Sequence, residues 1–154
     1  MTRSLIPLAA IIALSSCGQP KPAGPATIET TSFARSLGVD LSAMTKTPSG
    51  LYYRDLAVGN GPVVAAGNTV SVHYSGALPN GQGFDQNGPS DPPFVFQAGA
   101  KGVIDGWDEG VVGMRVGGRR QLVIPPALGY GAAGNGPIPP NAILVFTVEV
   151  VGVQ

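Results

Sequence analysis

Residues 142–151 (AILVFTVEVV) constrain the fold more than any other part of this chain. Side chains alternate along an extended strand, so Leu144, Phe146, Val148 and Val150 fall on one face, and Ile143, Val145 and Thr147 on the other. A strand that is apolar on both faces has to be covered on both, which puts it in the middle of a sheet. Weaker candidates surround it. Residues 51–56 form one, and residues 70–76 place Val70, Val72 and Tyr74 on a single face. Phe94 and Phe96 share a face of a third, and residues 116–124 carry Arg119 and Arg120. Only residues 103–112 show a helical period, through Val103, Ile104, Trp107 and Val111, and the glycines among them predict a short helix. The 23 glycines and 15 prolines cluster between the apolar runs, at 59–62 and 79–81 for example, and so read as turns. The pattern is α+β, an antiparallel sheet of about five strands wrapped around one short helix, with no internal repeat.

The amino-terminal residues carry a different signal. Arg3 leads into an uncharged apolar run over residues 5–14. That run is too short for a bilayer, which takes ~20 residues to cross. A basic start, a short apolar run and small residues after it form a secretory signal. Leu14-Ser15-Ser16-Cys17-Gly18 resembles the bacterial lipobox, in which the cysteine is acylated and becomes the first mature residue. Cys17 is the only cysteine of the chain and stands at that place. Residues 1–16 are therefore expected to be a lipoprotein signal peptide, and residues 17–47 a lipidated tether. Gly18, where an aspartate would retain the protein at the inner membrane, favours the outer membrane in a cell that has one. The expected location is the cell envelope, on the periplasmic side or at the surface. Residues 19–32 read as solvated. Phe33, Leu37, Leu41 and Met44 have a helical spacing interrupted by Gly38, which predicts a short helix. The compact domain is expected to run from 48 to 154.

Charge and residue inventory exclude several chemistries. Nine basic residues balance nine acidic ones with no basic run, which argues against a nucleic-acid partner. One histidine and one cysteine cannot assemble an ordinary zinc site or a disulfide framework, so no metal or cofactor is expected. There is no G-x-S-x-G, P-loop or C-x-x-C. His73 falls on the opposite strand face from Tyr74, and Asp105, Asp108 and Glu109 read as a solvated helix face. Asp85, which follows Phe84 after a glycine-rich turn, is the one acid placed to overhang an aromatic face built from Tyr74, Phe94, Phe96, Trp107 and Phe146. Such a face makes a packed core as readily as a pocket, and spacing alone does not separate the two.

Six stretches in order carry a resemblance: VHYSG at 72–76, GFD at 83–85, PFVFQAG at 93–99, VIDGWDEGV at 103–111, LGYG at 128–131 and IPPNAILVFTVEV at 138–150. Together they resemble the FKBP family of peptidyl-prolyl cis-trans isomerases over residues 48–154. The resemblance implies a bent antiparallel half-barrel over a short helix, with a pocket between them. It implies that Trp107 is the pocket floor and that Tyr74, Phe94, Val103, Ile104 and Phe146 are its walls. Phe84 and Asp85 would line the rim, and Ile138 would close one side. The Ile104 amide and the Tyr130 hydroxyl would hydrogen-bond ligand carbonyls. The activity implied is rotation of X–Pro bonds in proline-containing polypeptides, with an apolar residue preferred before proline. Exported and envelope proteins would be the folding clients, and macrolides further ligands. A module or chaperone that captures proline-containing segments without turnover is the alternative. Two departures stand out. The arginine that often pairs with the pocket aspartate is replaced by Ser90, and the loop at 132–139 is one residue short, with Asn135 at an altered position. No insertion between Tyr130 and Phe146 leaves room for a chaperone flap. About 30 residues precede the domain, too few for a helical dimerisation arm, so a monomer is expected.

Overall fold

The structure, a computed structural model, describes residues 26–154; the expected signal peptide and Cys17 lie outside the described residues. Among the described residues are seven strands and one α-helix: β1 (Thr45–Lys46), β2 (Tyr52–Ala57), β3 (Thr69–Ala77), β4 (Gly83–Asn87), β5 (Phe94–Gln97), α1 (Asp105–Gly110), β6 (Arg119–Ile124) and β7 (Leu144–Val153). All strand pairs are antiparallel, in the order β1-β2-β6-β7-β3-β4, and β5 pairs with the half of β3 that β4 leaves free. β7 lies between β6 and β3, as its two apolar faces require. The two strands beyond the expected five are β1, only two residues long, and β4, whose sequence GFDQN has no apolar alternation to announce it.

The inner face of the sheet buries Leu122, Ile124, Leu144, Phe146, Val148 and Val150 against Trp107 and Val111. Glycines shorten α1 as expected, and they also set its distance from the sheet. A Cβ at Gly106 would stand 2.6 Å from Ile124 Cγ2, and one at Gly110 would stand 2.8 Å from Leu122 Cδ1. These two positions, four residues apart on one helix face, let α1 lie flush on β6. Arg120 holds its far end. The guanidinium donates to both Asp55 carboxylate oxygens at 2.7 and 3.1 Å and to the Gly110 carbonyl at 3.0 Å.

The outer face differs from expectation. The chain at 28–44 forms neither a solvated tether nor an α-helix. It crosses the sheet as three 3-10 turns, Ile28–Thr30, Arg35–Leu37 and Leu41–Ala43. Ile28, only 3% exposed, packs with Tyr52, Val123, Ile143 and Val145, and Phe33, Leu37, Val39, Leu41 and Met44 extend that layer. The physical reason lies in β7: Ile143 and Val145 need cover on the side away from α1. Gly38 adopts φ +61°, which ends the second turn and lets each apolar residue dock separately. Polar side chains fasten this wrap. Lys46 and Tyr52 both donate to Glu29 Oε1 at 2.6 Å. Gln121 Nε2 donates to the Leu37 carbonyl at 2.6 Å, and Arg54 Nη2 to the Gly38 carbonyl at 2.9 Å. The packed unit therefore starts at Ile28, before the expected boundary at residue 48.

Candidate active site

The site forms where α1 begins. Ile104 is extended (φ −60°, ψ 148°), and its carbonyl accepts from the Trp107 and Asp108 amides at 3.0 and 3.2 Å. This first turn carries Trp107 toward the sheet and Asp108 back toward the preceding loop. Asp108 is buried at 7% exposure, contrary to the expected solvated helix face. Its carboxylate accepts from the Gly99 amide at 2.9 Å and the Lys101 amide at 3.0 Å. Those amides have no strand partner, and a buried carboxylate satisfies them while pinning the loop that leads to Val103 and Ile104. Asp105 and Glu109 do face outward, taking bonds from Lys101 Nζ and Ser49 Oγ.

Trp107 is the floor of a cavity of about 340 Å³. Tyr74, Phe94 and Phe146 stand around it at centroid distances of 4.9, 6.0 and 5.3 Å, with ring planes 80°, 80° and 84° from the indole plane. Edge-to-face packing of this kind is favourable for aromatic quadrupoles and fixes the indole at the bottom of the cavity. Phe96, one of the expected aromatic set, is buried at 7% exposure in the core and does not line the cavity.

The rim owes its shape to a bulge. Gly83 pairs with Ala77 and Asp85 with Gly76, so Phe84 is the extra residue on β4. A bulge reverses the local alternation, which lets Phe84 and Asp85 both reach the cavity. Gly76 makes room below: a Cβ there would stand 2.6 Å from Phe146 Cε1 and 2.8 Å from Phe84 Cζ. Tyr74 Oη donates to Asp85 Oδ2 at 2.8 Å. Burial first, and then this bond and the Asp85 charge, push the Tyr74 phenol up to about 12, so it remains a donor at neutral pH. The ion pairs among the described residues are Lys46–Glu29, Lys101–Asp105 and Arg120–Asp55, none of them at Asp85.

The structure places all ten sequence-derived residues around this one cavity. Val103, Ile104 and Tyr130 join the aromatic walls, and Ile138 closes a side. The short loop at 132–139 is folded back by reciprocal bonds of 2.9 Å between the Asn135 and Ile138 backbones. Gly102, Asn135 and Pro137 also line the cavity and were not assigned there from sequence. Adjacency to Val103 and Ile138 was their only signal. Two donors are available. Neither the Ile104 amide nor the Tyr130 hydroxyl bonds another described residue, and the buried Trp107 Nε1 also has no partner among them. Asp85 is the sole charged lining residue among the described residues. His73 lies elsewhere, bonded through Nδ1 to Asn87 Oδ1 at 2.8 Å. The arrangement suits a flat apolar ring flanked by carbonyls, and it contains no nucleophile–base pair.

Residues 61–151 match the FKBP-type peptidyl-prolyl cis-trans isomerase family, and the chain belongs to that family. It is 50% identical over 109 residues to the FK506-binding protein of Streptomyces anulatus, covering 69% of this chain and 88% of that one. It is also 50% identical over 111 residues to FK506-binding protein 4 of Dictyostelium discoideum, spanning 71% of this chain but only 30% of that relative's length. Among solved structures, AtFKBP13 superposes with a TM-score of 0.67 at 38% identity, covering 72% of this chain and 98% of the other. FkpA from Escherichia coli also superposes with a TM-score of 0.67, at 40% identity, covering 73% of this chain and 52% of that one.

Proposed function

We propose that the protein catalyses rotation of X–Pro bonds in polypeptide clients and does so without covalent chemistry. The supporting observation is the set of three rings standing perpendicular to one indole, bordered by two unpartnered donors. Rotation is slow because amide resonance must be broken, at a barrier of ~18–20 kcal/mol. At the top of that barrier the nitrogen is pyramidal and the carbonyl less polar. A dry aromatic box favours this less dipolar state over the planar amide, which is differential binding in the strict sense. Trp107 would carry the proline ring. The Ile104 amide and Tyr130 hydroxyl would hold the flanking carbonyls and leave the central bond free to turn. Tyr74, Phe84 and Phe94 would receive an apolar residue before proline. Macrolides such as FK506, for which the relatives are named, would occupy the same box.

The lipobox-like stretch ending at Cys17 supports lipid anchoring at the cell envelope, with exported proteins as clients and the protein acting as a monomer. Release of a Cys17→Ser variant from the membrane fraction is the expected result, and its retention would remove this part of the reading. Activity is tested by cis-to-trans exchange of a short Leu–Pro peptide. Acceleration by the folded protein, sharply reduced in Trp107→Ala, is expected. A folded protein that binds the peptide without accelerating exchange would instead be a capture module.

A further inference from the structure

Behind the rim, on the outer face of the sheet, lies a second cavity of about 500 Å³. Its floor is β3, β4 and β7. Its far wall is the wrap at Ser36 and Leu37, held in place by the Gln121 bond to the Leu37 carbonyl and by the Ala34 amide bond of 2.7 Å to the Pro79 carbonyl. The wall is thus built into the fold. Ser36, Ser75, Gln86 and Thr147 line this trough, and their side chains take part in no hydrogen bond among the described residues. Phe84 and Asp85 line both this trough and the aromatic box, which therefore meet across β4, the edge strand of the sheet. Asp85 is the only charged residue lining either one among the described residues.

We propose that the trough receives the polypeptide flanking the proline, so that a client passes over the β4 edge and is held on both faces of the sheet. The partner this surface fits is an extended chain with a basic residue directly after the proline. Its backbone amides and carbonyls would meet the free hydroxyls and amides of Ser36, Ser75, Gln86 and Thr147. Its cation would sit at Asp85, whose only side-chain partner among the described residues is the Tyr74 hydroxyl. Continuity with the aromatic box argues for a client chain here, because a chain leaving the box over Asp85 enters the trough directly. The proposal rests on the isomerase reading.

The test compares kcat/KM for a short Leu–Pro peptide with that for the same Leu–Pro sequence extended on both sides and carrying Lys directly after the proline. In the unaltered protein the extended peptide should be favoured about fivefold or more, the size of one or two net hydrogen bonds. Ser75 is exposed, lines the trough and does not line the box. Ser75→Trp should abolish the extended peptide's advantage and leave the short-peptide value unchanged. Gln86→Trp, on the exposed edge, serves if the first variant fails to fold. Replacing Lys by Glu in the extended peptide should also reduce its advantage. Equal values for the two peptides, or a variant that lowers both alike, overturn the proposal. If the folded protein accelerates neither peptide, the isomerase reading fails instead. The trough is then judged by amide shifts at Ser75 and Gln86 on adding the extended peptide: their appearance supports it, and their absence overturns it.

Discussion

Replacing Ile28 by alanine should unfasten the wrap and leave the sheet intact. Ile28 is only 3% exposed, so essentially all of its side chain is withdrawn from water. The substitution removes three carbons, and at ~0.8 kcal/mol each the transfer loss is about 2.4 kcal/mol. The space left against Tyr52, Val123, Ile143 and Val145 adds a cavity term and brings the total to about 3 kcal/mol, within the range for such truncations. The wrap is joined to the sheet by side chains and by few backbone bonds, so the loss should fall on local opening more than on global unfolding. At 1.4 kcal/mol per tenfold, the open population rises about a hundredfold. Amide hydrogen exchange reads this directly. The Ala34, Gly38 and Met44 amides, bonded to the carbonyls of Pro79, Arg35 and Leu41, should exchange about a hundred times faster. Amides within β6 and β7 should be unchanged. Equal acceleration in those strands would refute the reasoning, since it would make the wrap part of one cooperative unit. Unchanged wrap amides would refute it as well.

Three further outcomes are expected. Asp55→Ala strips the carboxylate from Arg120, whose side chain is 9% exposed, and should cost about 1.5–3 kcal/mol in urea unfolding. Lys46 first and Tyr52 second hold the Glu29 carboxyl down to about 2, so its contribution to the clasp is whole above about 4.5 and is lost as pH falls toward 2. A carboxyl NMR titration of Glu29 should show a midpoint near 2, weakened by salt because the pair is exposed; a midpoint near 4.5 would mean that the clasp does not form. Asp108→Ala leaves the Gly99 and Lys101 amides without their acceptor, and loosening of that loop should raise KM for the short peptide more than it lowers kcat.

The sequence was most informative where alternation and chemistry coincided. The two-faced apolar pattern of β7 placed that strand at the centre, and the aromatic residues of β3, β5 and β7 had the parity to share a face with Trp107. What remained hidden has local causes. β4 is short and polar because it is an edge, and the bulge at Phe84 breaks the very period that would have announced it. The wrap has helical spacing, yet its residues satisfy a flat sheet surface turn by turn, and no pattern within residues 28–44 can show what lies beneath them. Asp108 looked like its acidic neighbours. Only the loop folded back over it reveals two amides that need an acceptor. The family resemblance brought Tyr130, Ile138 and the Ile104 amide to the site, because loop positions and backbone groups carry no periodic signal.

The placement of Trp107 has an optical consequence. It is the only tryptophan in the chain, it is buried, and it lines the cavity. Emission from this protein therefore reports on one spot. A guest resting on the indole should change the intensity while the ring stays shielded, whereas unfolding should move the whole spectrum to longer wavelength as water reaches it. Tyr74, at 4.9 Å, is close enough to pass its excitation to the indole, so tyrosine-excited emission reads the same spot. Occupancy and integrity can thus be followed in the same cuvette without a label.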